Sequence, residues 1–330
     1  MRTINWGVLG TADIALARTI PGMVEAYNCA LYAIAGRDTE KARRFQTQFG
    51  FEKYYDDYEA LLRDPKVEAV YIPLPNSLHR EWTLKALEAG KHVLCEKPIA
   101  PTAAEAEAMF RAAEENRVLL MEAFAYLHSP LTAAIKAEVD SGTLGEIVYM
   151  ESEFVTSDYD PANIRMRRET FGGSVYDLGC YCTSQILWML GREPESVQAI
   201  ARYNAHGVDG LTTAILGFDG GAQAQLTCGM ALATEQGKRV DRCEIHGTRG
   251  NLRTTAEFNQ SGLLAYTITV EGRASYKTVR TPQNYRLEVE QFGRCIAGEA
   301  QPLVSREFSL KNLRLIQRIL GEIGYDRAAR

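Results

Sequence analysis

The sequence predicts an α/β protein with two domains, a doubly wound parallel sheet followed by an α+β domain with a large, open, mostly antiparallel sheet. Up to about residue 122, short apolar runs alternate with helix-period stretches, a pattern that forms parallel sheets with right-handed crossovers. After about residue 145, β-rich runs follow one another between turn signals, which is typical of antiparallel sheet. Because 330 residues exceed the usual size of one core, we expect domains 1–122 and 123–330.

The elements follow in order from the spacing of apolar residues. Strands of the first domain are expected at residues 4–9, 30–35, 67–72, 92–95 and 118–121. Helices are expected between them at residues 39–49, 57–62, 77–89 and 102–116. In the second domain one helix runs to residue 190, and two more close the chain near residues 285–297 and 310–323, where they could pack back on the first domain.

Composition excludes several classes of protein. An apolar share of 46%, a charged share of 24% and a net charge of −5 are ordinary for a soluble globular protein. No basic run suits nucleic acid or an anionic membrane, and no apolar run reaches membrane-spanning length. The first residues enter a strand pattern directly, so we expect a cytoplasmic protein without a cleaved leader.

The cysteines and histidines predict no metal site. The seven cysteines are an odd number and lie mostly in apolar segments, which indicates reduced core residues. Cys180 and Cys182 form C-x-C without the second pair or the histidine spacing of a zinc site. The five histidines are dispersed along the chain.

The turn after the first strand predicts a dinucleotide phosphate site. Read against G-x-G-x-x-G, it has Gly10 in the first place and Ala12 and Ala15 in the second and third. Small residues are needed there because backbone amides at a helix start must approach a pyrophosphate closely. Any tight βα connection also favours glycine, which is the alternative. The predicted binding residues are Gly10, Thr11, Ala12, Asp13 and Ile14.

The end of the second strand favours NADP(H) over NAD, with NAD still possible. Gly36 occupies the place where an NAD enzyme usually has an acidic residue for the ribose hydroxyls. Arg37 follows it, and Lys41 lies four residues on, so both could reach a 2′-phosphate. The alternative is that both are solvated charges flanking Asp38, a helix cap.

Two further segments carry candidate catalytic groups. Lys97 lies just past a buried strand, at the sheet edge where α/β proteins bind ligands, although a strand end meeting solvent is an equal alternative. After Gly172 and Gly173, Ser174 is expected to cap a helix in a capping box with Asp177. Tyr181 lies on the same helix face as Asp177, four residues on. The alternative to a catalytic role is that Asp177 only caps the helix and that Tyr181 is a core aromatic.

The motifs together resemble those of the Gfo/Idh/MocA oxidoreductases, NAD(P)-dependent enzymes acting mainly on sugars and cyclitols. The resemblance covers nearly the whole chain, and the segment G-K-H-V-x-x-E-K-P is its most specific part. It rests on residues 10–15, 75–79 (PNSLH), 89–98 (AGKHVLCEKP), 122–124 (EAF) and 172–181 (GGSVYDLGCY).

The resemblance implies roles for individual residues. Lys97 lies beside the nicotinamide and the reacting carbon, and Glu96 near the cofactor ribose and amide, with a cis peptide commonly preceding Pro98. His79 approaches the cofactor, although it could equally cap its helix. The other positions expected near the cofactor are Leu74, Asn76, Arg165 and Tyr285.

Many relatives carry histidine where this chain has Tyr181. The tyrosine resembles the branch that includes glucose-fructose oxidoreductase, dimeric dihydrodiol dehydrogenase and NADP-dependent xylose dehydrogenase. In that branch the tyrosine is the proton donor and acceptor. A phenol with a pKa near 10 is a weak base at neutral pH, and an ammonium such as Lys97 favours the phenolate. Leu127 and Ser129 replace an arginine and a histidine that relatives often carry.

The sequence therefore predicts an NADP(H)-dependent enzyme that interconverts a hydroxyl and a carbonyl on a sugar or polyol. Within the enzyme class, the alternatives are a 3-ketoreductase of a nucleotide-linked sugar and a trans-dihydrodiol dehydrogenase. From another class, the chain could be a catalytically idle NADP-binding sensor. The resemblance also implies a homodimer or homotetramer formed through the free face of the second sheet.

Overall fold

The computed structural model describes residues 2–157, 160, 162–230, 232 and 239–325, which form two compact units. The first unit runs up to His128 and also takes in Pro282–Leu310. The second comprises Ser129–Thr281 and the chain from Lys311 onward. The first unit thus extends past residue 122 and includes one of the C-terminal helices.

The first unit is built on six parallel strands in the order β3-β2-β1-β4-β5-β6. Strand order reverses between β1 and β4, the place where doubly wound sheets open a ligand crevice. The strands are β1 (Ile4–Leu9), β2 (Cys29–Ala35), β3 (Lys53–Tyr55), β4 (Ala69–Ile72), β5 (His92–Glu96) and β6 (Leu120–Ala123). The helices before β6 are α1 (Ile20–Glu25), α2 (Thr39–Phe49), α3 (Tyr58–Arg63), α4 (Asn76–Glu88) and α5 (Ala103–Glu115).

The five strands and four helices expected in this part are confirmed, each with bounds within two residues. Strand β4 is buried along its whole length, which explains why its sequence is apolar without alternation. Strand β6 is equally buried although it contains Glu122. Two elements were not predicted. The edge strand β3 has only three residues, and α1 has six and contains Pro21, so neither carries a readable period.

The second unit contains an eight-stranded sheet in the order β14-β13-β12-β11-β7-β10-β9-β8. Neighbours are antiparallel except β7 and β10, as the sequence predicted for most of the sheet. The strands are β7 (Ile147–Val155), β8 (Ser196–Tyr203), β9 (Asp209–Gly217), β10 (Gln223–Gly229), β11 (Val240–Gly247), β12 (Gly250–Thr254), β13 (Gly262–Val270) and β14 (Arg273–Thr281). Two helices belong to this unit, α6 (Pro130–Asp140) and α7 (Cys180–Leu190).

One face of this sheet packs against α7. Met150, Ser152 and Phe154 of β7 are buried there and alternate with partly exposed residues, as expected for a half-covered sheet. Helix α6, which was not predicted, is capped by Ser129, whose Oγ accepts the Leu131 N–H at 3.2 Å. Ser129 therefore has a local structural role where relatives often have histidine.

The chain closes with α8 (Asn284–Ile296) and α9 (Arg306–Glu322). In the first unit, α8 packs on the parallel sheet, where Phe292 meets Trp6 at a ring distance of 5.7 Å. It also packs tightly on α1, because a Cβ at Gly22 would lie 2.7 Å from the Arg286 nitrogen. Among the described residues, no helix is long and apolar enough to cross a bilayer.

Candidate active site

The carboxyl ends of the parallel strands collect the predicted site residues of the first unit at one sheet edge. Gly10 follows β1, Gly36 follows β2, Leu74 follows β4 and Lys97 follows β5. Since all six strands run the same way, these four positions share the edge where α/β sheets bind ligands.

The turn after β1 has the geometry of a phosphate cradle. Gly10 has φ of +128°, which favours glycine, and a Cβ there would lie 3.0 Å from the Leu74 Cδ2 atom. The chain then enters a π-helical turn at Ala15–Thr19 that continues into α1. The Asp13 side chain is 97% exposed, so the helix start is open to a ligand. These features fit a dinucleotide pyrophosphate bound by backbone amides.

The turn after β2 carries Gly36, which has no side chain, and the cationic residues Arg37 and Lys41 follow it. A Cβ at Gly36 would lie 3.0 Å from the Thr11 Cγ2 atom, so the two turns pack together. The guanidinium of Arg37 acts on the hydroxyl of Tyr58, whose pKa is raised by burial and lowered in part by Arg37. Arg37 is exposed, and the buried Tyr58 is its neighbour.

Lys41 and Asp38 complete this corner. The Asp38 Oδ1 atom accepts the Lys41 N–H at 2.9 Å, so Asp38 caps α2 as the alternative interpretation expected. The Lys41 Nζ atom lies 3.7 Å from the exposed Asp13 carboxylate. An exposed pair of this kind contributes little energy, so Lys41 can turn toward a phosphate at small cost.

Lys97 follows a buried carboxylate that is fixed from two sides. The Tyr71 hydroxyl donates to Glu96 Oε1 at 2.6 Å, and the backbone N–H of Lys97 donates to Glu96 Oε2 at 3.2 Å. Thr19 Oγ1 lies 2.9 Å from the Tyr71 hydroxyl. Burial, and then the Glu96 charge, raises the pKa of Tyr71 well above its usual value, so Tyr71 remains a proton donor to Glu96.

His79 lies inside α4 and does not cap it. Its Nδ1 atom is 2.8 Å from the carbonyl oxygen of Pro98, and its Nε2 atom is 2.7 Å from that of Leu74. Burial lowers the pKa of His79, and Lys97 lowers it further. The ring therefore lies between the loop after β4 and the turn that carries Lys97, and in its neutral form it can donate to one of these two carbonyl oxygens. The Lys97–Pro98 peptide is cis as expected.

Sequence reasoning gave no role to two buried carboxyl groups near this turn, although Glu122 lies in the EAF segment on which the resemblance rests. Glu122, at the end of β6, accepts the Ile99 N–H at 2.9 Å. Glu288 in α8 has no hydrogen-bond partner for either oxygen among the described residues. Burial, and then the charge of Glu96, raises the pKa of Glu288 well above its usual value. Its position one turn after Tyr285 was the only available signal.

In the second unit, the segment with Asp177 and Tyr181 begins differently from the prediction. Ser174 already has helical angles, φ −66° and ψ −32°, and makes no capping hydrogen bond, so the predicted capping box was wrong. Its hydroxyl instead donates to Asp209 Oδ2 at 2.6 Å, because a buried carboxylate competes with the backbone for it. A π-helical turn at Val175–Gly179 then leads into α7.

Asp209 at the start of β9 anchors this helix start. Its Oδ2 atom also accepts the Val175 N–H at 2.8 Å and the Thr212 hydroxyl at 2.9 Å. Burial raises the pKa of Asp209 to about 6, although these donors favour the ionised form. Gly173 has φ of +113°, and a Cβ there would lie 2.1 Å from Asp209 Oδ1, so glycine is required.

Asp177 and Arg165 form an ion pair. The Arg165 Nε atom lies 3.0 Å from Asp177 Oδ1, and the Asp177 side chain is mostly buried. The Arg165 carbonyl oxygen accepts the Gly173 N–H at 2.9 Å, so backbone and side chain both tie residue 165 to the helix start. The carboxylate of Asp177 is therefore oriented by a cation rather than by a helix cap.

Tyr181 combines a buried ring with a polar hydroxyl environment. The ring packs against Phe154 at 5.5 Å and Phe258 at 5.2 Å, which confirms a core contribution. The Asn259 Nδ2 atom donates to the hydroxyl at 3.5 Å. The charge of Arg239 also acts on this phenol.

The predicted residues thus divide between the units. Arg165, Asp177 and Tyr181 lie in the second unit. The others lie in the first, namely Gly10, Thr11, Ala12, Asp13, Ile14, Gly36, Arg37, Lys41, Leu74, Asn76, His79, Glu96, Lys97 and Tyr285. Tyr285 is buried in α8 and acts electrostatically on Tyr71. No cluster of histidine, cysteine and acidic side chains able to hold a metal occurs within the described ranges.

Comparison with known protein families identifies both parts of the chain. Residues 4–124 match the family model described as the oxidoreductase family with an NAD-binding Rossmann fold. Residues 132–253 match the GFO/IDH/MocA C-terminal domain.

Individual relatives align with most of this chain. A D-xylose 1-dehydrogenase (NADP(+)) of Haloferax volcanii is 38% identical over 318 residues, which is 95% of each chain. A trans-1,2-dihydrobenzene-1,2-diol dehydrogenase of Xenopus tropicalis is 30% identical over 255 residues, 77% of this chain and 76% of its own. The crystal structure of KijD10, a 3-ketoreductase from Actinomadura kijaniata in complex with NADP and TDP-benzene, superposes with a TM-score of 0.91 at 31% identity and covers 98% of both chains.

Proposed function

The chain belongs to the Gfo/Idh/MocA family of NAD(P)-dependent sugar oxidoreductases, and we propose that it interconverts a hydroxyl and a carbonyl on a sugar or polyol with NADP(H). The observation that carries this proposal is the position of Lys97 at the carboxyl end of β5. The glycine turn after β1 opens at the same sheet edge. A cation and a phosphate cradle at one edge suit a reaction on the nicotinamide of a bound dinucleotide.

The preference for NADP(H) rests on the corner formed by Gly36, Arg37 and Lys41. Gly36 offers no carboxylate that would repel a 2′-phosphate, and Arg37 offers a planar donor suited to phosphate. Two relatives support the assignment, since one carries NADP(+) in its name and KijD10 is described in complex with NADP.

The proposed reaction combines hydride transfer with proton transfer by residues of this chain. Bound NADP(H) would accept or supply the hydride. Lys97 polarises the reacting oxygen, and Tyr181 accepts the hydroxyl proton or returns it to the carbonyl oxygen. Asp177, oriented by Arg165, orients the substrate beside the tyrosine. Lys97 lies in the first unit and Tyr181 in the second, and their cooperation is part of the proposal.

Reduction of a 3-keto group on a nucleotide-linked sugar is the second candidate. It is favoured by the similarity to KijD10, whose structure contains TDP-benzene. An idle NADP-binding sensor is disfavoured, because a protein that only binds the cofactor needs neither Lys97 nor Tyr181.

A substrate screen tests the proposal. Purified protein is mixed with NADP and a panel of aldoses, cyclitols and dihydrodiols, or with NADPH and keto-sugars, including a nucleotide-linked one, and the absorbance of NADPH is followed. Turnover of at least one compound is expected, with Lys97→Ala as the inactive control. Tight NADPH binding without turnover of any compound would favour the sensor instead.

Assembly through the second sheet is also proposed. Four apolar side chains lie on the face opposite the one that α7 covers, namely Ile200, Ile215, Leu263 and Tyr276. Ile200 is 77% exposed and Tyr276 73%. We propose that a second copy covers this face. Light scattering should show a dimer or tetramer, and Ile200→Asp should shift it toward the monomer.

A further inference from the structure

Glu122 is the strongest candidate for a functional group outside the predicted site. Its side chain is fully buried, and its Oε2 atom makes no hydrogen bond of ordinary geometry among the described residues, although the Ser309 hydroxyl lies near the carboxyl group. An ionisable group in that condition is costly to bury unless a nearby charge compensates it. The register of the parallel sheet supplies such a neighbour, because Glu122 pairs with Cys95, two residues before Lys97.

The turn that carries Lys97 meets a buried side chain on each side. His79 approaches the Pro98 carbonyl oxygen at 2.8 Å, and Glu122 Oε1 accepts the Ile99 N–H at 2.9 Å. The backbone after Lys97 therefore depends on Glu122 for one of its anchors. An ionised carboxylate accepts a hydrogen bond more strongly than a neutral carboxyl, so the anchor depends on the charge of Glu122.

The groups that face Glu122 come from two further elements. From β5 and the turn after it come Cys95, Glu96 and Lys97, and from the start of α9 comes the Ser309 hydroxyl. Burial raises the pKa of Glu122 to about 7, and Glu96 adds to this, while Ser309, the Ile99 amide and the Lys97 ammonium lower it. Glu122 thus changes its charge near neutral pH.

We propose that Glu122 is a positioning residue for Lys97, and that its ionised carboxylate holds the turn at Ile99 and balances the Lys97 ammonium in the active enzyme. This inference rests on the proposed function of Lys97. Protonation of Glu122 weakens the anchor and removes the balancing charge, so turnover falls as the pH drops through about 7.

Activity measurements on Glu122→Gln test whether the charge of Glu122 is needed, because glutamine has nearly the same shape. Glu122→Gln keeps an acceptor for Ile99 but cannot ionise, so kcat above neutral pH should fall by roughly tenfold or more with KM nearly unchanged. Its acid limb near neutral pH should disappear, while NADPH affinity stays within a few-fold by fluorescence titration. Glu115→Gln, at an exposed position at the end of α5, is the matched control and should behave as wild type. A wild-type rate and pH profile in Glu122→Gln would overturn the inference.

An infrared measurement tests the same coupling without turnover. The pH-difference spectrum of the wild type should contain the carbonyl stretches of protonated buried carboxyls, and Glu122→Gln should lack the band that Glu122 contributes while that of Asp209 remains. In Lys97→Met the midpoint of the band should move to higher pH, because the ammonium no longer favours the carboxylate. An unchanged midpoint would overturn the inference whatever the activity. Full turnover in Lys97→Met with a shifted midpoint would instead refute the proposed role of Lys97 in the reaction.

Discussion

Replacing Asp209 by asparagine should change how stability depends on pH. Asp209 has no solvent exposure, and its pKa is raised from 3.8 to about 6 by burial. The native state therefore keeps the proton between these values while the unfolded chain has already lost it. Stability falls as the pH rises through this window, and one pKa unit corresponds to about 1.4 kcal/mol. A difference of about two units gives a loss of about 3 kcal/mol.

The variant removes this loss because asparagine is neutral at every pH. Urea unfolding followed by tryptophan fluorescence, to which Trp188 in α7 of the same unit contributes, measures the free energy of unfolding of both proteins. The wild type should lose about 3 kcal/mol relative to Asp209→Asn between about pH 4 and pH 7. Asp219→Asn is the control, because it makes the same replacement at an exposed site of the second unit. A difference that stays constant across this range would refute the reasoning.

Three further predictions concern the reaction and the cofactor. Lys97→Ala should lower turnover by roughly 10² or more with NADP(H) affinity kept within a few-fold in a binding titration, and near-wild-type activity would remove Lys97 from the mechanism. Tyr181→Phe keeps the packed ring, so thermal unfolding should barely change while kcat falls by about 10²–10⁴; a lower melting temperature with normal kcat would leave only the core role. Arg37→Ala should reduce the preference for NADP by roughly 10- to 100-fold in kcat/KM, because a charge-assisted hydrogen bond contributes about 1.5–3 kcal/mol. Gly36→Asp with Arg37→Ala should reverse the preference, and adding Thr11→Ser relieves the 3.0 Å approach at Gly36; equal kcat/KM for both cofactors in the wild type would contradict the assignment.

The sequence by itself determined the parts of this protein that depend on neighbours along the chain. Strand and helix periods located five strands and four helices of the first unit, because burial imposes those periods locally. The same local logic placed Gly10, Gly36 and Lys97 directly after strands, and parallel strands bring their carboxyl ends to one edge. The capping of α2 by Asp38 was also readable, since a cap acts three residues away.

Only the tertiary structure decided the partners of the buried carboxyl groups. Glu122 meets Ile99 across 23 residues, and Asp209 meets Ser174 across 35. Ser174 shows the limit most clearly, because its local pattern is that of a helix cap, yet its hydroxyl turns to Asp209. A short polar side chain donates to whichever acceptor the fold brings nearest, and a buried carboxylate attracts it more strongly than a backbone group. Such pairings, and the pKa shifts that burial produces in them, arise from chain segments distant in sequence, so no local pattern records them.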